Sequence, residues 1–147
     1  MEYKIINNPN EFSGLLTRET IAGFLFEHLE QYGDKLEDIK RCIDYAMSDE
    51  KGMGGFILAG YEDDKISGVV IINKTAMHGY IPGNLLVYIA VHGGFRGRGV
   101  GKELMQQTID NTDGDIALHV EADNPAVKLY EKVGFENKYL EMRYTRK

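Results

Sequence analysis

The chain has 147 residues, 43% of them hydrophobic, which is enough for the core of one ordinary domain but not of two. Its formal net charge of −6 argues against a nucleic-acid partner, because proteins that bind the phosphate backbone carry a basic surface. The single cysteine, Cys42, excludes an internal disulfide framework and a cysteine-rich zinc site. The longest apolar run, residues 85–91, is far shorter than the roughly 20 residues of a membrane-spanning helix. With no apolar leader at the N-terminus either, we expect one cytoplasmic domain over residues 1–147 that binds neither nucleic acid nor membrane.

The first third of the chain predicts one strand followed by two helices. The strand covers residues 3–7, and Asn8 with Pro9 then predicts a helix start, since asparagine caps helices and proline suits their first turn. Apolar residues recur at helical spacing up to residue 29, with a break near Arg18 compatible with the pattern. A second helix is predicted to begin at Asp34, because Glu37 follows three positions later as in a capping box.

The rest of the chain predicts mostly strands, with two further helices. Residues 56–61 and 66–73 form a predicted hairpin, residues 74–83 a loop, and residues 85–91 a strand that is apolar at every position, as expected for burial on both faces.

A third helix starts at Val100 and is followed by a strand over residues 116–120. Asn124 and Pro125 cap a fourth helix, Gly134 ends it, and residues 139–145 alternate like a closing strand. The order β-α-α-β-β-β-α-β-α-β predicts an α/β (α+β) sandwich with a mixed, mostly antiparallel central sheet flanked by four helices.

A glycine-rich segment links the strand at residues 85–91 to the third helix. Five of the 17 glycines lie in residues 93–101, where backbone N–H groups without neighbouring side chains can surround an anion. Arg96, Arg98 and Lys102 add three positive charges with no acidic residue between them, and the following helix start adds unpaired donors. This pattern predicts a phosphate site, the alternative being a tight turn without a ligand.

The spacing excludes two common nucleotide loops. A nucleoside-triphosphate loop needs Gly-Lys followed by Ser or Thr, whereas Gly101 and Lys102 are followed by Glu103. A dinucleotide fingerprint needs a different glycine spacing and a parallel unit, whereas a hairpin precedes this segment.

Two blocks of sequence resemble the GNAT superfamily of N-acetyltransferases. The family's acetyl-CoA loop, [RQ]-x-x-G-x-[GA], is matched by Arg96-Gly97-Arg98-Gly99-Val100-Gly101. The segment from Asn124 to Phe135 is similar to the family's N-x-x-A-x-x-L-Y-x-x-x-G-F block, shortened by one residue between Asn124 and Ala126. The resemblance implies a single GNAT-like domain that uses acetyl-CoA as co-substrate, with a primary amine as acceptor.

The resemblance also implies where acetyl-CoA binds. The cofactor would lie between the strands at residues 85–91 and 116–120, with the main chain of Val91 near the thioester and Asn124 near the pantetheine amides. The pyrophosphate would be held by Arg96, Gly97, Arg98, Gly99, Val100, Gly101 and Lys102. Tyr130 matches the family's general acid, the alternative being a core tyrosine on an apolar helix face.

The remaining assignments are less specific. His119 aligns with a glutamate that serves some relatives as general base, and Glu121, His92 or water are alternatives. His28 and His78 lack partners at metal-ligand spacing, so no metal is expected, and Cys42 is expected to be buried and inert. Family members often dimerise, and residues 139–145 are an expected contact of a homodimer. A non-catalytic acyl-CoA-binding or sensing module and a structural module are the alternative functions.

Overall fold

The computed structural model describes residues 1–147 and contains five strands and four α-helices. In chain order they are β1 (Glu2–Ile6), α1 (Arg18–His28), α2 (Leu36–Ala46), β2 (Gly55–Glu62), β3 (Lys65–Lys74), β4 (Asn84–Val91), α3 (Val100–Asp110), β5 (Ile116–Leu118) and α4 (Ala126–Lys132). Single 3₁₀ turns lie at Pro9–Glu11, Glu30–Tyr32 and Gly93–Phe95. No helix is both long and apolar enough to cross a membrane.

The strands form one sheet in the order β1-β2-β3-β4-β5. Each neighbouring pair from β1 to β4 is antiparallel, and β5 runs parallel to β4. The predicted mixed, mostly antiparallel sheet with four helices is therefore confirmed.

Two hydrophobic clusters cover opposite faces of the sheet, because successive strand residues point to opposite sides. Ile57, Val69 and Ile71 pack with α1 and α2 on one face. Leu58 and Val70 pack with α3 and α4 on the other. Cys42 is buried on α2, as predicted, and burial raises the pKa of its thiol to about 12.

The first helix begins nine residues later than the Asn8 cap predicts. Asn8 does cap, but it accepts a hydrogen bond from the Asn10 amide at 3.0 Å and closes only a 3₁₀ turn. The helix α1 starts after Thr17. The Thr17 side chain accepts a hydrogen bond from the Thr20 amide, and the Thr20 side chain accepts one from the Thr17 amide. The break near Arg18 is confirmed, and the predicted helix before it is wrong.

The predicted cap of the second helix is also wrong. Asp34 makes a tertiary contact instead, since its Oδ2 accepts a hydrogen bond from the buried Tyr88 hydroxyl at 2.5 Å. The N-cap position falls on Lys35, which makes no side-chain capping bond.

The last residues of the chain differ most from the structure that their sequence pattern predicts. Residues 136–147 form no regular structure and all of them are exposed, so the predicted strand over residues 139–145 is absent. The physical reason is that these residues pair with no other strand, and strand structure requires a partner. The strand β5 likewise ends at Leu118 and not at residue 120.

Candidate active site

The strands β4 and β5 separate after only three residue pairs. Pairing begins at Asn84 with Ile116 and ends at Leu86 with Leu118. A register shift in the β3–β4 pairing, which leaves Val87 without a partner in β3, falls directly after this last pair. Because such bulges bend a strand, β4 turns away from β5 at this point. Residues 87–91 then keep β3 as their only neighbour, as the resemblance implies for a cofactor cleft.

The open edge of β4 presents backbone hydrogen-bonding groups. The His92 amide donates to Ser67 O at 2.8 Å, on the β3 side. Since successive residues of an antiparallel strand alternate in direction, Ile89 and Val91 direct their N–H and C=O groups toward the open side. An extended molecule with amide groups can pair with such an edge.

The glycine-rich segment continues directly from this edge. His92 Nδ1 accepts a hydrogen bond from the Gly94 amide at 2.9 Å and shapes the turn at Gly93–Phe95. Gly97 and Gly99 have φ angles of 80° and 79°, in the left-handed region that favours glycine. Gly99 is the N-cap of α3 and offers no side chain to its first N–H groups, so those donors remain available to an anion.

The two arginines of the segment are paired with carboxylates from distant parts of the chain. Arg96 lies 3.5 Å from Glu30 Oε1, and Arg98 lies 3.2 Å from Glu62 Oε2 and over the Phe95 ring. Glu62 also bonds the Met1 amine, and these hydrogen bonds lower the pKa of its carboxyl group. A phosphate ligand would therefore compete with Glu30 and Glu62 for the guanidinium groups.

The helix α3 begins close to the end of β4 and to α4. A Cβ atom at Gly101 would lie 3.2 Å from Leu129 Cδ2 and 3.7 Å from Val91 Cγ2. The first turn of α3, the end of β4 and α4 therefore meet at this glycine. The proposed phosphate loop and the helix that carries Tyr130 are in this way packed together.

Tyr130 is buried on α4, in the cluster between α3, α4 and the sheet. Its ring centroid lies 6.1 Å from that of Phe135, whose amide donates to Tyr130 O at 2.9 Å. Burial raises the pKa of the phenol to about 12. The side chain is therefore protonated at neutral pH, which a general acid requires.

The other predicted site residues differ in exposure. Asn124 is half-buried, and its Oδ1 accepts a hydrogen bond at 2.9 Å from the amide of Ala126, the first residue of α4. The N-cap position itself falls on Pro125, which makes no side-chain capping bond. His119 and Glu121 lie beyond the last residue of β5 and are exposed. The strand predicted over residues 116–120 ends at Leu118, before both of these residues.

The structure adds a turn that sequence analysis missed. Glu30–Tyr32, between α1 and α2, contacts the segments that follow both separated strands: Glu30 pairs with Arg96, and the Tyr32 hydroxyl donates to Asp123 O at 3.4 Å. Glu30 has a φ of 55°, uncommon for a residue with a side chain. No local pattern indicates these contacts, because their partners are 66 and 91 residues away.

A pair of histidine rings lies at the end of β4. The His28 ring centroid is 4.5 Å from those of both Phe24 and His92. Burial is the main cause that lowers the pKa of His28, which favours the neutral imidazole. The helical spacing of Phe24 and His28 could have indicated their contact, but nothing in the sequence links His28 to His92.

A family model described as an acetyltransferase (GNAT) domain matches residues 53–137, more than half of the chain. A Mycobacterium leprae (strain TN) protein described as uncharacterized is 47% identical over 58 residues. This alignment covers 38% of the chain and only 16% of the relative's length.

Solved structures share the fold over nearly the whole chain. A ribosomal-protein-alanine N-acetyltransferase from Brucella melitensis biovar Abortus 2308 has a TM-score of 0.68 at 16% identity, covering 99% of this chain and 100% of that one. A transcriptional regulator from Bacillus halodurans C-125 has a TM-score of 0.71 at 15% identity, with the same coverage. An aminoglycoside acetyltransferase from an uncultured soil metagenomic sample, in complex with sisomicin, has a TM-score of 0.66 at 14% identity, covering 99% and 96%. At these identities the likeness shows a common fold.

Proposed function

The chain belongs to the GNAT acetyltransferase family, and on that premise we propose that it transfers an acetyl group from acetyl-CoA directly to a primary amine of a small molecule or protein. The observation that carries the proposal is the continuity of two features. The open edge of β4, over residues 87–91, runs directly into the glycine-rich turn at the start of α3. The open strand edge can pair with the amide-containing pantetheine arm, and the glycine-rich turn can hold the pyrophosphate.

The proposed binding mode uses both features. The pantetheine arm pairs with the open β4 edge, with the main chain of Val91 near the thioester and Asn124 near the pantetheine amides. The pyrophosphate is held by the backbone of the turn, by its two arginines, Arg96 and Arg98, and by Lys102 in the first turn of α3.

The proposed chemistry is an attack of the neutral amine on the thioester carbonyl. The C–N bond forms as the C–S bond breaks, and the electron pair of that bond leaves with sulfur. Tyr130 donates its phenolic proton to the departing thiolate, since the phenol is protonated at neutral pH. His119 is the group that we propose for removing the amine proton, with Glu121 and water as alternatives. Its exposed position allows proton exchange with solvent.

Calorimetric titration with acetyl-CoA tests the binding part of the proposal. We expect Arg98→Gln and Lys102→Gln each to weaken binding about tenfold, which corresponds to about 1.4 kcal/mol. Lys51→Gln is the matched control, since Lys51 is an exposed lysine in the turn after α2. No binding by the unaltered protein, or equal losses in all three variants, would overturn this mode.

A further inference from the structure

His92 connects the open edge of β4 to the glycine-rich turn, and three hydrogen bonds hold it there. Its amide donates to Ser67 O in β3 at 2.8 Å, and its carbonyl oxygen accepts from the Phe95 amide at 2.9 Å. Its Nδ1 atom accepts from the Gly94 amide, also at 2.9 Å. Only the last of these three bonds depends on the protonation state of a side chain.

Gly94 leaves the imidazole the room to make this bond. A Cβ atom at Gly94 would lie 3.3 Å from both Nδ1 and Cε1 of His92, so a side chain there would push the ring away. The imidazole therefore lies directly against the backbone of the turn, as a side-chain acceptor does at an N-cap.

This turn positions both arginines of the proposed phosphate site. Phe95 is buried, and its ring meets the His92 ring edge-on with the centroids 5.6 Å apart. The Arg98 Cζ atom lies 5.1 Å from the Phe95 ring centroid, and Arg96 is the C-cap of the turn. A change in the bond between His92 and Gly94 would therefore reach both guanidinium groups.

The protonation state of the imidazole decides whether this bond can form. A nitrogen that accepts from an N–H carries no proton, so neutral His92 has its proton on Nε2. In the imidazolium both nitrogens carry a proton, and neither orientation of the ring can accept from Gly94. Neutral His92 also has no free nitrogen lone pair while the bond is in place, so it cannot take the proton of an amine.

On one side of this ring the charged and titratable groups come from α1 and the turn after it. The His28 ring centroid lies 4.5 Å from that of His92. Burial is the main cause that lowers the pKa of His28, and the charge of Arg96 acts in the same direction, while the charges of Glu27 and Glu30 raise it. Because the neutral form of His28 is favoured, a proton on His92 would not meet a second imidazolium.

On the other side, His92 lines a pocket of about 260 Å³ with charged residues of the β2–β3 turn and of its own segment: Glu62, Asp63, Lys65 and Arg98. The positive charge of an imidazolium would by itself attract a phosphate group. Two carboxylates in the pocket offset this attraction, whereas the loss of the Gly94 bond acts on the turn directly. We expect the lost bond to outweigh the added charge.

We propose that His92 is a positioning residue for the cofactor: its neutral form holds the glycine-rich turn in the shape that binds the pyrophosphate, and its protonation releases the turn and weakens acetyl-CoA binding. The inference rests on the proposed function, since it takes acetyl-CoA as the ligand of this turn. It adds a dependence on pH that arginine side chains, which stay charged throughout the range in which histidine titrates, cannot provide.

NMR spectroscopy of the protein without ligand tests the hydrogen bond itself. At about pH 8, two-bond correlations between the protons and nitrogens of the ring should show the His92 proton on Nε2. As the pH is lowered to about 5, the Gly94 amide signal should shift with the same midpoint as the His92 ring. A neutral ring protonated on Nδ1, or a Gly94 signal that does not follow the ring, would overturn the proposal.

Calorimetric titration with acetyl-CoA at about pH 8 and about pH 5 tests the effect on binding. His92→Asn keeps a side-chain acceptor at the N-cap but does not titrate in this range. We expect the unaltered protein to lose about fivefold more affinity on acidification than His92→Asn does, which corresponds to one net hydrogen bond. Protonation of the phosphate groups of acetyl-CoA affects both proteins equally and cancels in this comparison.

The matched control is His78→Asn, at an exposed histidine in the loop between β3 and β4, which should keep the pH profile of the unaltered protein. The same pH profile for His92→Asn and the unaltered protein, or a greater loss of affinity by His92→Asn on acidification, would overturn this inference and leave the proposed function in place. No binding of acetyl-CoA at either pH would overturn both.

Discussion

Tyr130 shows how one position can be both a core residue and a reactive one. The sequence left these two interpretations open, and the structure places the phenol in a buried cluster, where desolvation raises its pKa to about 12. A group in the hydrophobic cluster of α3 and α4 keeps its proton because the phenolate would be poorly solvated there.

We expect Tyr130→Phe to lower kcat about 100-fold or more, because general acid catalysis commonly contributes that much, while acetyl-CoA binding stays unchanged. Steady-state kinetics and calorimetry measure the two quantities separately. Tyr61→Phe removes a half-buried phenol from β2 and serves as the matched control. Full turnover by Tyr130→Phe would remove Tyr130 from the mechanism.

The raised pKa of Tyr130 also predicts a dependence of stability on pH. The folded protein holds this proton up to about pH 12, whereas the unfolded chain loses it near 10.0. The stabilisation is therefore complete below pH 10 and is lost as the pH rises from 10 toward 12. Urea unfolding across this range should show a shallower decline in the free energy of unfolding for Tyr130→Phe than for the unaltered protein. Parallel declines would contradict the shift.

At the scale of elements, the start of β2 depends on a glycine that no side chain can replace. A Cβ atom at Gly55 would lie 1.8 Å from Ile72 O, in the neighbouring strand β3. Gly52, three residues earlier, has a φ of 88° but open space around it. Gly55 itself has a φ of 150°, so Gly52 measures the conformational cost alone, and the difference between the two positions measures the steric cost.

We expect Gly55→Ala to destabilise the protein by about 3 kcal/mol or more, since the backbone of β3 would have to move. Gly52→Ala should cost only about 1 kcal/mol, for its positive φ. Urea unfolding measures both values. Equal losses at the two positions would show that β2 and β3 are not paired in this register.

Local patterns predicted the elements that local interactions determine. The hairpin β2–β3, the strand β4 and the start of α4 just after Asn124 and Pro125 follow from residues close in sequence. Asp34 shows the limit: its capping pattern is real, but a distant buried partner, Tyr88, takes its carboxylate. The segment 139–145 has a strand pattern without a partner strand in its own chain, and no local rule supplies one.

At the scale of the whole molecule, charge is distributed unevenly. The net charge is −6, yet the turn before α3 and the first turn of this helix together hold three cations, two of them paired with acids from other elements. The phosphate site could be predicted because its glycines and cations are neighbours in the sequence. Their carboxylate partners were not predictable, because folding alone brings Glu30 and Glu62 to the loop.

These pairs predict that removing a carboxylate will strengthen cofactor binding. We expect Glu62→Gln to tighten acetyl-CoA binding several-fold, because Arg98 no longer has to leave an ion pair to meet a phosphate. Glu37→Gln, at an exposed acid of α2, is the control and should change nothing. Calorimetric titration of acetyl-CoA into both variants tests this expectation. Weaker binding by Glu62→Gln would mean that Glu62 orients Arg98 instead of competing with the phosphate for it.

The proposed transfer is tested most directly by measuring the release of CoA from acetyl-CoA with a panel of primary amines, together with mass spectrometry of the products. We expect at least one amine to stimulate release and to gain one acetyl group for each CoA released. Binding of acetyl-CoA without stimulation by any amine would contradict the proposed transfer and would instead identify the protein as an acyl-CoA-binding module.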